Sequence, residues 1–351
     1  MTKADYTRFD EALGLLTGLG ADLTNGMTSH VPMVAEALSA MGEGAAAVAW
    51  VGAHSKTVVP RISASKSIDP EAWRTALGQR WRFADWSAFF ADEIARDEWR
   101  AVCERWVGRL APGFPAAATH GVIRTAHAVR ALNADATPLR LQEFADGLAL
   151  WASTYVELPA TRTASARLSP TEALARVPLV PEEKRRNGGA ITVALGQLVH
   201  APGFDGVLDL IDNARAPRET ALEAAEAFAR VAAANVQSPL TAIVFTHGVT
   251  GMGAALNLMP HVSAATAQEL VSYAWQSGAA LMSAYARAPF DRAAALPKPV
   301  AVDRVARAVA HGDDHVIKLT EACLALNDLH PSLAYLAATD SVAAHLPEDP
   351  V

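Results

Sequence analysis

The chain has 351 residues, 51% hydrophobic and 19% charged, with a formal net charge of −7. It is long enough to bury a sizeable core in one large domain or two ordinary ones, and too poor in charge for a coiled coil or a disordered chain. No basic patch stands out, which argues against a nucleic-acid partner. Cys103 and Cys323, the only cysteines, both sit in amphipathic helical patterns and read as reduced core residues, so no disulfide framework and a cytoplasmic location are expected.

The opening MTKADYTRFDEALGLL carries charges inside its first apolar stretch, which fits neither a signal peptide nor a membrane span. Residues 5–18 read as a helix with Phe9, Leu13, Leu15 and Leu16 as its apolar stripe. A polar turn over Ala21, Asn25 and Gly26 leads to Ser29, His30, Val31 and Pro32. Pro32 suits a first helical turn, so His30 sits at the entrance of a helix running to about Met41. Val48–Trp50 and Thr57–Val59 are short apolar pieces, either strands or loop. The spacing predicts helices over 70–78, 81–95 and 97–110, with Trp73, Trp81, Trp86, Trp99 and Trp106 as core aromatics. After the break at 112–115, residues 116–133 predict a strong helix in which His120 and His127 share a face. Another helix covers 140–156.

The stretch 158–190 is rich in Pro, Thr and Arg and reads as a surface excursion or linker. Helical pattern resumes at 191–200, 204–213, 218–235 and 264–286. It covers 302–327 with a break possible at Gly312, and a final helix follows Pro331. The chain as a whole predicts an all-α fold.

The stretch 311–326, HGDDHVIKLTEACLAL, spaces His311, His315 and Lys318 by four and three, which puts them on one face of a helix. Asp313 and Asp314 suit its first turn. Imidazole is the commonest neutral metal ligand, and a helical protein builds a metal site from inward side chains on facing helices. His30, His120, His247 and His315 come from four separated helices and could form such a site. Isolated histidines are more often ordinary core or surface residues, and no HExxH, CxxC or Glu-x-x-His pair is present. The 246–253 stretch, THGVTGMG, partly imitates the glycine turn of a nicotinamide-dependent reductase but lacks its first glycine. Its glycines could instead serve close packing beside His247.

Four segments together carry a resemblance: Thr28–Leu38, Ala117–Leu132, Phe245–Leu256 and Asp314–Ala322. With Trp81–Glu93, they resemble the questin oxidase family over roughly residues 10–330. The resemblance implies one helical domain over 1–351 around a central histidine-lined metal site. It also implies an oxidoreductase acting on an aromatic polyketide such as an anthraquinone, by oxygen-dependent C–C cleavage or Baeyer–Villiger-like oxidation. Its iron, Fe(II), would be held by His30, His120, His247 and His315, with Lys318 carboxylated by carbon dioxide as a fifth ligand. His127, His261 and His311 are reserves. Fungal members have another histidine where this chain has Val31–Pro32–Met33, a departure that bears on substrate more than on metal.

Chemistry agrees with that role for Lys318, because burial favours the neutral amine that can add carbon dioxide. Glu321 or Glu36 is expected to hold a ligand imidazole by its other nitrogen. Molecular oxygen and a small aromatic molecule would be the partners, with no membrane. Electrons would come from the substrate or from an external reductant such as NADPH. The other readings are a reductase using the 246–253 turn and a non-catalytic helical binding protein.

Overall fold

A computed structural model describes residues 3–162, 166–186 and 188–351. Its helices are α1 (Phe9–Gly14), α2 (Val31–Ala40), α3 (Gly44–His54), α4 (Phe83–Arg96), α5 (Trp99–Leu110), α6 (His120–Ala134), α7 (Pro138–Ser153) and α8 (Pro170–Leu174). They continue with α9 (Ile191–Ala194), α10 (Pro217–Asn235), α11 (Pro239–Leu258), α12 (Ala264–Tyr285), α13 (Arg304–His311), α14 (Asp314–Leu329) and α15 (Leu333–Ala343). Among the described residues the fold is all-α apart from one antiparallel pair of strands, β1 (Leu19–Leu23) with β2 (Val58–Pro60).

The helix starts follow local chemistry. Thr137 and Ser238 accept from the backbone N–H groups of Arg140 and Thr241, and each is followed by a proline that needs no intrahelical donor. The apolar α11 lies against α6, α10, α12 and α14. It is long and apolar enough to cross a membrane, but most of it is buried among those neighbours. Glycines allow α6 and α7 to approach closely. A Cβ on Gly121 would stand 2.6 Å from Trp151 Cα, and one on Gly147 2.9 Å from Thr125 Cα. Trp73, Trp86, Trp99 and Trp106 are buried as expected, and both cysteines are buried and free.

Several sequence expectations need correction. Val48–Trp50 lies inside α3, where the alanines around it favour helix. The β1 strand covers part of the expected polar turn, because pairing with β2 decides its conformation. Residues 70–78 and 204–213 contain only 3₁₀ turns, Trp73–Ala76 and Phe204–Asp209. Leu15 and Trp81 are exposed, and the Trp81 ring lies beside the Arg82 guanidinium instead of in the core. Gly312 breaks the 302–327 pattern with φ +76°, so His311 ends α13 and does not share a helix with His315. The helix expected from 116 starts at His120, since Ala117, Ala118 and Thr119 are all left-handed. Within 158–190 the chain buries Leu158, Leu174, Val177 and Val180 against the main core; residues 163–165 and 187 of that stretch lie outside the described residues.

Candidate metal centre

Four elements bring one imidazole each into one cluster. His30 is the N-cap of α2, His120 opens α6, His247 lies two turns into α11, and His315 is in the first turn of α14. The rings of His30 and His120 stack at 4.3 Å between centroids, and His30 meets His315 edge-on at 4.8 Å. His247 completes the circuit, 4.6 Å from the His120 ring and 5.5 Å from that of His315. Donor atoms of His30, His120 and His315 all lie within 4.8 Å of one another. His247 Nε2 is 3.0 Å from His120 Nε2.

The outer nitrogens fix the tautomers. His247 Nδ1 donates to the Ile243 carbonyl at 2.7 Å, and His120 Nδ1 donates to the Ala117 carbonyl. A neutral imidazole carries one N–H, so both Nε2 atoms present bare lone pairs to each other. Two lone pairs at 3.0 Å repel unless a cation lies between them. Two ligands about 2.1 Å from one ion and at right angles to it stand about 3.0 Å apart, which matches. His315 Nε2 is also buried and has no protein partner. The donor set therefore fits a metal ion.

Asp314 supports the other two rings. Its Oδ2 accepts from His30 Nδ1 at 2.7 Å, and its Oδ1 lies 2.5 Å from His315 Nδ1. Burial opposes ionisation of Asp314, but the His30 and His315 contacts outweigh it and hold the carboxyl well below the ordinary range. Asp313 caps α14, its Oδ1 accepting from His315 N and Val316 N at 2.8 and 3.0 Å. Burial pushes His30 down to about 4 and holds His120 and His247 well below the usual histidine value, so these rings stay neutral near pH 7.

Lys318 follows one turn after His315 and is 2% exposed. Burial brings its pKa down to about 8 against the pull of Asp314 and Asp313. Its charge is close enough to depress His30, His120 and His247. A cavity of about 260 Å³ opens onto His30, His120, His247, Asp314 and His315. Lys318 lines a second space of about 30 Å³ with His127, Thr250 and Glu321.

The reserve histidines stand elsewhere. His127 Nδ1 donates to Glu36 at 2.6 Å, His261 meets Asn133 near the surface at 3.0 Å, and His311 Nε2 donates to the Ala343 carbonyl at 3.2 Å. Glu36 and Glu321 hold none of the four clustered imidazoles, contrary to expectation. Both instead grip Arg130, whose Nε donates to Glu36 at 2.8 Å and whose Nη1 donates to Glu321. Their side chains lie further along α2 and α14 than the imidazole layer, so Asp314 takes the role expected of them. Its adjacency to His315 in sequence was the available signal. The 246–253 stretch forms no turn, being continuous helix within α11, so it offers no dinucleotide loop. Gly251 instead packs against Phe114, and Gly253 beside Ala322.

The Questin oxidase-like family model matches residues 49–323 of the chain. That span includes His120, His247, His315 and Lys318 and stops short of His30. No curated protein matches the chain.

Proposed function

The chain belongs to the Questin oxidase-like family, and from that premise we propose that it is an oxygen-dependent oxidoreductase with a mononuclear non-haem iron. His30, His120, His247 and His315 would hold the ion, with Lys318 as a carbamate. The substrate is an aromatic polyketide or related small molecule, and the reaction a C–C cleavage or Baeyer–Villiger-like oxidation. The observation that supports this reading best is the 3.0 Å approach of the His120 and His247 Nε2 atoms while both Nδ1 atoms face backbone carbonyls, an arrangement that a cation would stabilise.

Iron held there supplies the capacity to activate dioxygen. The chain's own groups do the rest. Asp314 orients His30 through a hydrogen bond and stands 2.5 Å from His315 Nδ1, and the Ala117 and Ile243 carbonyls orient His120 and His247. The neutral Lys318 amine, favoured by burial, adds carbon dioxide and releases a proton, exchanging a cation for an anionic oxygen donor. Leu23, Met27 and Ile243 form an apolar side of the cavity beside the imidazoles. Either substrate or an external reductant such as NADPH supplies the electrons.

The test is elemental analysis of protein purified without added metal, paired with oxygen uptake on a hydroxyanthraquinone panel. One iron per chain and uptake abolished by chelation are expected. Protein free of iron, or uptake indifferent to chelation, would overturn the proposal.

A further inference from the structure

The turn that leads into the imidazole cluster is tied down from outside it. Gly312 ends α13 in the left-handed region at φ +76°, and the next residue, Asp313, caps α14. Asp314 and His315 follow at once, so the direction the chain takes at Gly312 sets where both side chains point. Glycine populates both signs of φ about equally, so this turn needs outside restraint to hold one. A ligand set must keep its geometry to within about 0.5 Å to act as one site.

Three contacts supply the restraint. Trp50, buried in α3, donates from its indole Nε1 to the Gly312 carbonyl at 2.7 Å. Asp349 N donates to the His311 carbonyl, one residue earlier, at 2.7 Å. The backbone of Asp349 and Pro350 lies so close over Gly312 that a Cβ there would clash with the Asp349 carbonyl. Residues 346–350 therefore cross the turn as a strap, anchored by the buried Leu346. His54 joins the strap to Trp50. Its ring stacks on the indole at 3.8 Å between centroids, its Nδ1 donates to the Trp50 carbonyl at 2.8 Å, and its Nε2 stands 3.2 Å from Asp349 Oδ2. Neither Trp50 nor His54 lines the cavity at the imidazoles.

Resting on the metal reading above, we propose that Trp50, backed by His54 and the 346–350 strap, is a positioning residue for the centre. Through the Gly312 carbonyl it holds the start of α14, and so keeps Asp314 against His30 and His315 turned toward the other rings.

Trp50→Phe keeps an aromatic ring and removes the donor. Trp86→Phe is the matched control, because that fully buried indole donates to the Ala76 carbonyl at 3.2 Å from α4, a helix packed on α7. Two quantities are measured on the full chain. One is amide hydrogen exchange in metal-free protein at His315 and Val316, whose N–H groups donate to Asp313. The other is Fe(II) affinity by competition against a chelator. Loss of one hydrogen bond shifts a local opening equilibrium by up to about tenfold, so exchange in Trp50→Phe should quicken by about that factor. Fe(II) binding should weaken about tenfold, the lower end for loss of a group that supports a ligand. Trp86→Phe should lower the melting temperature and move neither quantity. His54→Ala, at a half-buried position, should shift both in the same direction by less, and it decides the matter if Trp50→Phe does not fold. Unchanged exchange, faster exchange with unchanged Fe(II) affinity, or equal changes in Trp86→Phe would each overturn the proposal. Faster exchange in Trp50→Phe, where the unaltered protein itself binds no Fe(II), supports the restraint on Asp314 and His315 and sinks the oxygenase.

Discussion

Replacing Asp314 by Asn tests the centre with the smallest change of shape. The carboxylate accepts from His30 Nδ1 at 2.7 Å through one oxygen and faces His315 Nδ1 at 2.5 Å through the other. An amide has one oxygen and one NH₂ group, so it satisfies only one of those rings in its present tautomer. The other ring must accept at Nδ1, which moves its proton to Nε2 and removes the lone pair aimed at the ion. Loss of a group supporting one ligand costs about 10–100-fold in metal affinity. Here a single carboxylate supports two ligands and also contributes charge, so the upper end is expected, about 2.7 kcal/mol for 100-fold. The assay is competition for iron against a chelator, with circular dichroism to confirm the helical fold. Asp313→Asn is the control. Asp313 accepts only backbone N–H groups at the helix start, and Asn caps as well as Asp. An Asp314→Asn variant with unaltered iron affinity would refute the assignment of Asp314 and the tautomer argument together.

Lys318→Ala should lose iron and oxygen uptake together, while Lys318→Glu should recover part of the iron through its shorter carboxylate; full iron and turnover in the alanine variant would remove Lys318 from the centre. Arg130→Met should destabilise the fold by about 3–5 kcal/mol, because it leaves the buried Glu36 and Glu321 without their shared cation; denaturant titration reads this, and a loss under about 1 kcal/mol would contradict it. The metal-free protein should lose stability as pH falls below about 6.5. His30, pushed down to about 4, stays neutral when folded but takes up a proton when unfolded, so its contribution is present above the unfolded value and fades toward pH 4. Thermal melts from pH 7 to 4 check the sign, and a flat profile would count against buried neutral imidazoles.

The local setting of each candidate imidazole was legible in the sequence, His30, His120 and His315 at helix starts and His247 two turns into the apolar α11. The long helices were legible through their apolar spacing, sustained over several turns. What local pattern does not encode is the direction a side chain takes after the chain turns. Residues 116–119 have helical composition, yet Ala117, Ala118 and Thr119 have φ of +48°, +56° and +73°. Each non-glycine residue there costs about 1–2 kcal/mol, which only tertiary packing offsets. The turn puts the Ala117 carbonyl on His120 Nδ1 and so aims Nε2 inward. Likewise nothing in single-helix periodicity pairs Glu36 and Glu321 through Arg130, since the three residues come from α2, α14 and α6.

The charges bear on how the proposed centre could be so deeply buried. Asp314 and a protonated Lys318 sum to zero, so Fe(II) beside four neutral imidazoles would add two positive charges to a buried site that has only the half-buried Asp313 close by to offset them. Burial of uncompensated charge is costly. Conversion of Lys318 to a carbamate would change its charge from +1 to −1. Fe(II), Asp314 and the carbamate would then sum to zero, leaving the half-buried Asp313 at the helix start as the remaining charge. The same burial that brings the Lys318 amine down to about 8 would thus favour the form that offsets the ion. On the proposed reading the ion and the carbamate stabilise one another, so removal of either should carry off both.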